Sequence, residues 1–205
     1  MRIAGLLVFS MFGAAALAGC GEAEEGPPEV SAEEGAKVAE IGEAAAGELM
    51  RALVGRLTAA MEEGGAAHAV EFCSQEAMPL TRMVESEMVG DVELKRTSFR
   101  YRNPENAPDE AETQALRYFE DAMEAGGGVP SRYVQQVSAR EYRYYQPLFV
   151  GEVCLQCHGD PENISPAVLE KLEANYPADL ATGYEAGDFR GLVRVTVPAE
   201  MVEEG

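Results

Sequence analysis

Two cysteines and a histidine at fixed spacing form the most chemically suggestive group in this sequence. They lie in the segment EVCLQCHGDPEN, as Cys154, Cys157 and His158. This C-x-x-C-H spacing is the attachment signature of c-type haem, because two thiols add to the two vinyl groups while the adjacent histidine lies under the ring and ligates the iron. The motif therefore predicts one haem c per chain, with Cys154 and Cys157 as thioether anchors and His158 as the proximal ligand.

Three other uses of the motif are open from the residues alone. A thioredoxin-like redox pair does not need the histidine, and LQCHGD opens no evident βαβ unit. A zinc site needs two more ligands, for which His68 and Cys73 are the obvious donors. A structural disulfide across two residues is uncommon. The export signal at the N-terminus favours covalent haem.

The first twenty residues, MRIAGLLVFSMFGAAALAGC, predict a signal peptide. A single basic residue, Arg2, precedes an uncharged apolar run from Ile3 to Leu17, which is short for a membrane span. The ending LAGC resembles a bacterial lipobox, which implies cleavage before Cys20 and lipid attachment to its sulfur. An ordinary signal peptide is the alternative. Because Gly21 follows rather than Asp, we expect a lipoprotein on the periplasmic side of the outer membrane.

The rest of the chain is expected to form one domain. Residues 1–20 are predicted to be the lipoprotein signal peptide, residues 21–32 a polar tether and residues 33–200 the folded domain. The chain has 16 basic and 36 acidic residues and a net charge of −20. This charge argues against binding to nucleic acid or to an anionic membrane surface. The simpler explanation is that all proteins of the organism are acidic, as in a salt-adapted organism. An acidic surface with a specific function is the alternative.

The pattern of apolar residues predicts two long helices followed by a sheet. Ser31 and Glu34 form a capping box, and apolar positions three and four residues apart continue to a stop at Gly64–Gly65. Most of the predicted strands are joined by connections short enough for hairpins. This favours an α+β domain, with helices on one side of an antiparallel sheet. The elements predicted after this stop are a helix at 66–87, a strand at 92–102, a helix from Asp109 to Met123, strands at 132–138 and 140–150, a helix at 165–175 and a strand at 187–198.

The second iron ligand is not fixed by the residues alone. Cys73 shares the apolar face of the second helix with Val70 and Ala77, whereas His68 falls on the polar side, about 140° around the axis. The two side chains therefore cannot both aim at one iron. Cys73 is either a buried small hydrophobic residue or a thiolate ligand, and methionines are more often core residues than ligands.

Four segments together resemble a known family. They are AVEFCSQEA at 69–77, LKRTSFRYRNPENAPDEAE at 94–112, CLQCHG at 154–159 and YPADLATGYEAGDFRGLVRVTV at 176–197. In this order they resemble the PAS-like c-type haem domain found in a photosystem II-associated cyanobacterial haem protein and in the periplasmic parts of some sensor kinases. That family has His/Cys axial ligation. The resemblance implies a PAS-like α+β fold with long N-terminal helices, and Cys73 as the distal ligand.

Three arginines in a chain with few basic residues are candidates for binding the haem propionates. Arg96, Arg100 and Arg102 lie close together, and the planar guanidinium group is a natural partner for a carboxylate. Salt bridges to the many nearby Asp and Glu residues are the alternative.

The expected function is redox or small-ligand sensing by a lipid-anchored mono-haem cytochrome. A thiolate ligand favours ferric iron and can leave on reduction, and any signal would pass to a separate redox or signalling protein. An electron carrier at the membrane surface is the alternative. We expect no enzymatic activity, because no second histidine is evidently placed as an acid–base group and a cysteine-capped iron is closed to substrate.

Overall fold

The computed structural model describes residues 29–203. The predicted signal peptide, Cys20 and tether residues 21–28 lie outside the described residues. Within residues 29–203, no helix is long and apolar enough to cross a membrane. The helices and strands are α1 Ala32–Gln75, α2 Ala77–Glu87, β1 Glu93–Thr97, α3 Glu110–Glu124, β2 Tyr133–Ser138, β3 Glu141–Phe149, α4 Leu155–His158, α5 Pro166–Asn175, β4 Phe189–Pro198 and α6 Glu200–Glu203, with 3₁₀ turns at Pro104–Asn106, Glu152–Cys154 and Pro161–Asn163.

Helix α1 consists of two arms that reverse direction at Gly65. Gly65 has φ 75° and ψ −173°, which is outside helical geometry. Arg56 Nη2 lies 3.1 Å from Glu76 Oε2, although the two residues are twenty positions apart. A straight helix would separate them by about 30 Å. The predicted stop at Gly64–Gly65 is therefore confirmed, and the second arm, residues 66–75, folds back along the first.

The predicted helix at 66–87 is wrong in one respect, because it breaks at Glu76. Pro79 has no N–H to donate to the carbonyl of Gln75, and its ring would clash with that carbonyl in a continuous helix. Helix α1 therefore ends at Gln75, and α2 begins at Ala77.

The predicted strand at 92–102 is shorter in the structure and ends at Thr97. The Ser98 N–H donates to the carbonyl of Asn106 at 3.3 Å rather than to a neighbouring strand. As a result, Arg96 lies on a strand while Arg100 and Arg102 lie in the loop that follows.

The four strands form one antiparallel sheet in the order β1-β4-β3-β2. The first arm of α1 packs on one face, where Leu49 belongs to the same apolar cluster as Tyr144. Helix α3 packs on the other face, where Phe119 is in the cluster of Tyr145. The α+β class is confirmed, but the expectation of helices on one side is wrong. Tyr144 and Tyr145 point to opposite faces, and both are buried, so each face needs a cover.

Because the chain reverses at Gly65, alanine substitutions at two glycines of α1 should change the free energy of unfolding in opposite directions. Gly65→Ala should lower the free energy of unfolding by about 1–3 kcal/mol, because its backbone conformation is essentially restricted to glycine. Gly55→Ala, at an exposed site inside the same helix with open space around it, should raise that free energy by about 0.5–1 kcal/mol. Urea denaturation measures both. A neutral or stabilising Gly65→Ala would mean that the helix runs straight through this position.

Candidate haem site

A cleft brings together five of the predicted site residues, of which three are candidate ligands or anchors of the haem and two are arginines. Cys73, from the second arm of α1, lines the same cleft as Cys154 and His158. The cleft has a cavity volume of about 230 Å³ and is open to solvent at its mouth. Its apolar walls include Leu53, Leu57, Met50, Phe72, Leu148 and Val150.

The imidazole of His158 is held by one backbone carbonyl. Its Nδ1 lies 2.7 Å from the carbonyl oxygen of Ala181. A carbonyl oxygen only accepts, so Nδ1 carries the proton and Nε2 keeps its lone pair. Burial, with help from the charges of Arg102 and Arg190, lowers the pKa of His158 to about 3. The ring is therefore neutral at pH 7, with Nε2 available to bind a metal, which is the arrangement usual for metal-ligating histidines.

The C-x-x-C-H segment folds as two short consecutive turns. The Glu152–Cys154 turn leads directly into α4, and the Gly151 N–H points at Cys154 Sγ at 3.4 Å. Gly159 follows at a tight position, because a Cβ there would lie 2.6 Å from the carbonyl oxygen of Leu155. A glycine directly after the histidine is thus required by backbone packing.

The second cysteine of the motif lies beside the cleft. Cys157 packs against the apolar cluster that contains Val70, Ile164 and Val168, and it is not among the lining residues. Burial raises the pKa of its thiol, with smaller contributions from the neighbouring Cys73 and Cys154. The three cysteines are therefore electrostatic neighbours, although only Cys73 and Cys154 face the cleft.

Cys73 lies near the end of the second arm of α1, packed against the cluster that contains Ala60 and Phe72. Burial raises the pKa of its thiol, and the charges of Arg96 and Arg102 oppose this effect. His68, on the same arm, is 46% exposed and lies 3.8 Å from Glu63, away from the cleft lining.

The three predicted arginines have different surroundings. Arg96 lines the cleft and is half-buried, and its guanidinium group makes no hydrogen bond or ion pair with any residue in the range 29–203. Burial lowers its pKa. Arg102 also lines the cleft, but its guanidinium group pairs with Asp179 at 3.0 Å. Arg100 is exposed and lies outside the lining, where it donates to the carbonyl of Thr182 and lies 3.8 Å from the ring centre of Tyr184.

Arg190 is a cleft residue that the sequence patterns did not indicate. This residue lies at the start of β4, lines the cleft and donates to the carbonyl of Arg100 at 2.9 Å. Burial lowers its pKa. It was inside the segment GDFRGLVRVTVP, but only the pairing of β4 between β1 and β3 brings it to the cleft.

The described residues also bear on the alternative uses of the motif. Cys73, Cys154 and Cys157 all carry free thiols. Between residues 29 and 203, no group of three or more His, Cys, Asp or Glu side chains is arranged to hold a metal ion. The cysteine and histidine side chains that line the cleft are Cys73, Cys154 and His158.

Comparison with known proteins gives two matches. A family model described as Tll0287-like matches residues 28–198. The fold is similar to the crystal structure of the cyanobacterial haem-protein Tll0287, with a TM-score of 0.57 and 25% sequence identity, over 82% of this chain and 96% of that one. No curated protein matches the sequence.

Proposed function

The chain belongs to the Tll0287-like family, and on this premise we propose that it binds one haem c in the cleft. Cys154 and Cys157 are the thioether anchors, His158 is the proximal ligand and Cys73 is the distal ligand. The similar cyanobacterial protein is a haem protein, and the C-x-x-C-H motif supports the covalent form of the cofactor.

One observation carries this proposal. His158, with Nε2 free, and Cys73 line the same cleft although 85 positions separate them in the chain. A soft sulfur and a neutral imidazole are established haem ligands. The apolar walls of the cleft suit a flat, largely apolar macrocycle.

Arginines on the cleft support binding of the haem propionates. Arg96 is half-buried without a partner among the described residues, and Arg190 lines the same cleft. Holding a guanidinium group in a partly desolvated site without a hydrogen-bond partner costs free energy. A carboxylate bound beside it offsets that cost. Arg96 and Arg190 are therefore better propionate partners than Arg100, which already contacts the loop at 180–184.

The role that we propose is redox or small-ligand sensing. Bound haem iron supplies one-electron chemistry and binding of small ligands. Cys73 lies on a short helical arm between a reversal at Gly65 and a break at Glu76. A change at Cys73 can therefore move this arm as a unit relative to the rest of α1. Such a displacement would be read by a separate protein partner.

An electron carrier is the second candidate function. Val54 and Phe149 line the cleft yet are 49% and 45% exposed, so the cleft opens between apolar side chains. An apolar rim of this kind suits brief contact between a haem edge and a redox partner. Catalysis is not part of the proposal, because Cys73 would close the iron to substrate.

The ligand assignment predicts the effect of removing one sulfur. Cys73→Ala should abolish the low-spin thiolate signature of the ferric protein and raise its reduction potential by on the order of 0.1 V, since a thiolate stabilises ferric iron. Optical and EPR spectra and a redox titration measure this. The matched control is His68→Ala, on the same arm but outside the cleft, which should retain the wild-type spectra. A wild-type spectrum for Cys73→Ala would refute the distal assignment.

The sensing role predicts that the thiolate signature disappears on reduction. The ferrous protein should show a spectrum without thiolate ligation, because ferrous iron holds a thiolate less strongly. Resonance Raman and magnetic circular dichroism spectra of both oxidation states provide the measurement. A thiolate signature retained in the ferrous state would instead favour the carrier.

We also propose lipid anchoring through Cys20 at the periplasmic side of the outer membrane. In a bacterial host, the wild-type chain should fractionate with membranes, and Cys20→Ser should be found mainly in the soluble periplasmic fraction. Cys73→Ala is the matched cysteine control and should stay with the membranes. Equal soluble fractions for wild type and Cys20→Ser would contradict the anchor.

A further inference from the structure

The side chain of Arg102 joins three separate segments of the chain. Its Nε donates to Asp179 Oδ2 at 3.0 Å, and its Nη2 donates to the carbonyls of Cys157 at 2.6 Å and Ala181 at 3.2 Å. The side chains of Arg102 and Asp179 are only 11% and 12% exposed. Hydrogen bonds of this number and low exposure fix a side chain far more firmly than a surface ion pair does.

The second carboxylate oxygen of Asp179 binds the backbone at Ala181, which Arg102 also contacts. Its Oδ1 accepts from the Ala181 N–H at 2.8 Å, so Ala181 is held at its N–H by Asp179 and at its carbonyl by Arg102. That carbonyl is also the acceptor for His158 Nδ1. The orientation of the imidazole therefore depends on a carbonyl that the Arg102–Asp179 pair fixes in place.

Two further backbone bonds attach the same loop to the C-x-x-C-H turn. The Gly183 N–H donates to the carbonyl of Gly159 at 2.7 Å, and the Tyr184 N–H donates to that of His158 at 2.9 Å. The loop and the turn thus behave as one unit, and Arg102 bridges them through side-chain bonds to both.

We propose that Arg102 and Asp179 are positioning residues that select the Nδ1–H tautomer of His158 and hold its ring toward the cleft. The proposal rests on haem binding in that cleft. It differs from a propionate contact, because the bonds of Arg102 run to Asp179 and two backbone carbonyls. Asp179 is the sharper probe, since it is not among the residues that line the cleft.

The test compares the haem-loaded wild type with Asp179→Asn, Arg102→Lys and Arg102→Gln. In ferric proton NMR spectra, all three variants should show shifted or doubled signals from the His158 ring. Solvent exchange of its Nδ1 proton should be up to about tenfold faster, because weakening one hydrogen bond by about 1.4 kcal/mol changes a rate tenfold. Lysine keeps the charge of Arg102 but cannot reach all three acceptors. If Arg102→Gln does not fold, the other two variants decide the outcome.

Two variants separate positioning from charge. Arg102→Lys keeps the positive charge but loses the full set of hydrogen bonds, so a disturbance of His158 in this variant reports lost positioning. Arg132→Gln removes a positive charge by breaking an exposed pair with Glu43 and should behave as wild type in both measurements. Wild-type His158 signals in Arg102→Lys beside disturbed signals in Arg102→Gln would overturn the proposal in favour of a charge effect.

The remaining outcomes distinguish this proposal from the haem proposal. Wild-type His158 signals and exchange in both Asp179→Asn and Arg102→Lys, at full haem content, would overturn the positioning role alone. Absence of covalent haem from the wild type would refute the haem proposal instead. In that case ¹⁵N NMR of the haem-free protein still reports the His158 tautomer, and an unchanged tautomer in Asp179→Asn would overturn the positioning role.

Discussion

The reversal of α1 at Gly65 is the constraint on which the cleft depends. With φ at 75° the chain folds back, and the second arm packs along the first, with Ala60 and Ala69 in one cluster. In a continuous helix, Cys73 would lie about 12 Å beyond Gly65 along the axis and could not share a wall with Leu53 and Leu57. The reversal therefore gives the cleft both its apolar lining and its sulfur donor.

The opposite wall depends on hydrogen bonds to backbone carbonyls rather than on apolar packing. The C-x-x-C-H turn and the loop at 176–188 are short and irregular, and they have few ladder bonds of their own. Arginine side chains make up for this, with Arg100 bound to the carbonyl of Thr182 and Arg102 to that of Ala181. In a chain with a net charge of −20, several of its few cations thus converge on one site.

The two candidate roles share this architecture and differ only in how the second arm of α1 responds. A carrier requires that the arm stay fixed when the iron changes oxidation state. A sensor requires that it move, and the break at Glu76, caused by Pro79, separates the arm from α2. His158 is braced by several hydrogen bonds, whereas Cys73 is held mainly by apolar contacts. Under the proposed ligation, we therefore expect any change of ligand on the side of Cys73.

The local features of this protein could be predicted from its sequence. The spacing of Cys154, Cys157 and His158, the capping of α1 and the glycine stop depend on neighbouring residues, so a linear pattern carries them. The α+β class followed from the order of the elements. Three features depend on the tertiary structure instead: both faces of the sheet are covered, Arg190 reaches the cleft, and Arg102 bonds to the loop that orients His158. The hydrogen bonds of Arg190 and Arg102 join positions 90 and 79 apart in the chain, and hydrogen bonds between a side chain and a distant carbonyl leave no periodic signal in the sequence.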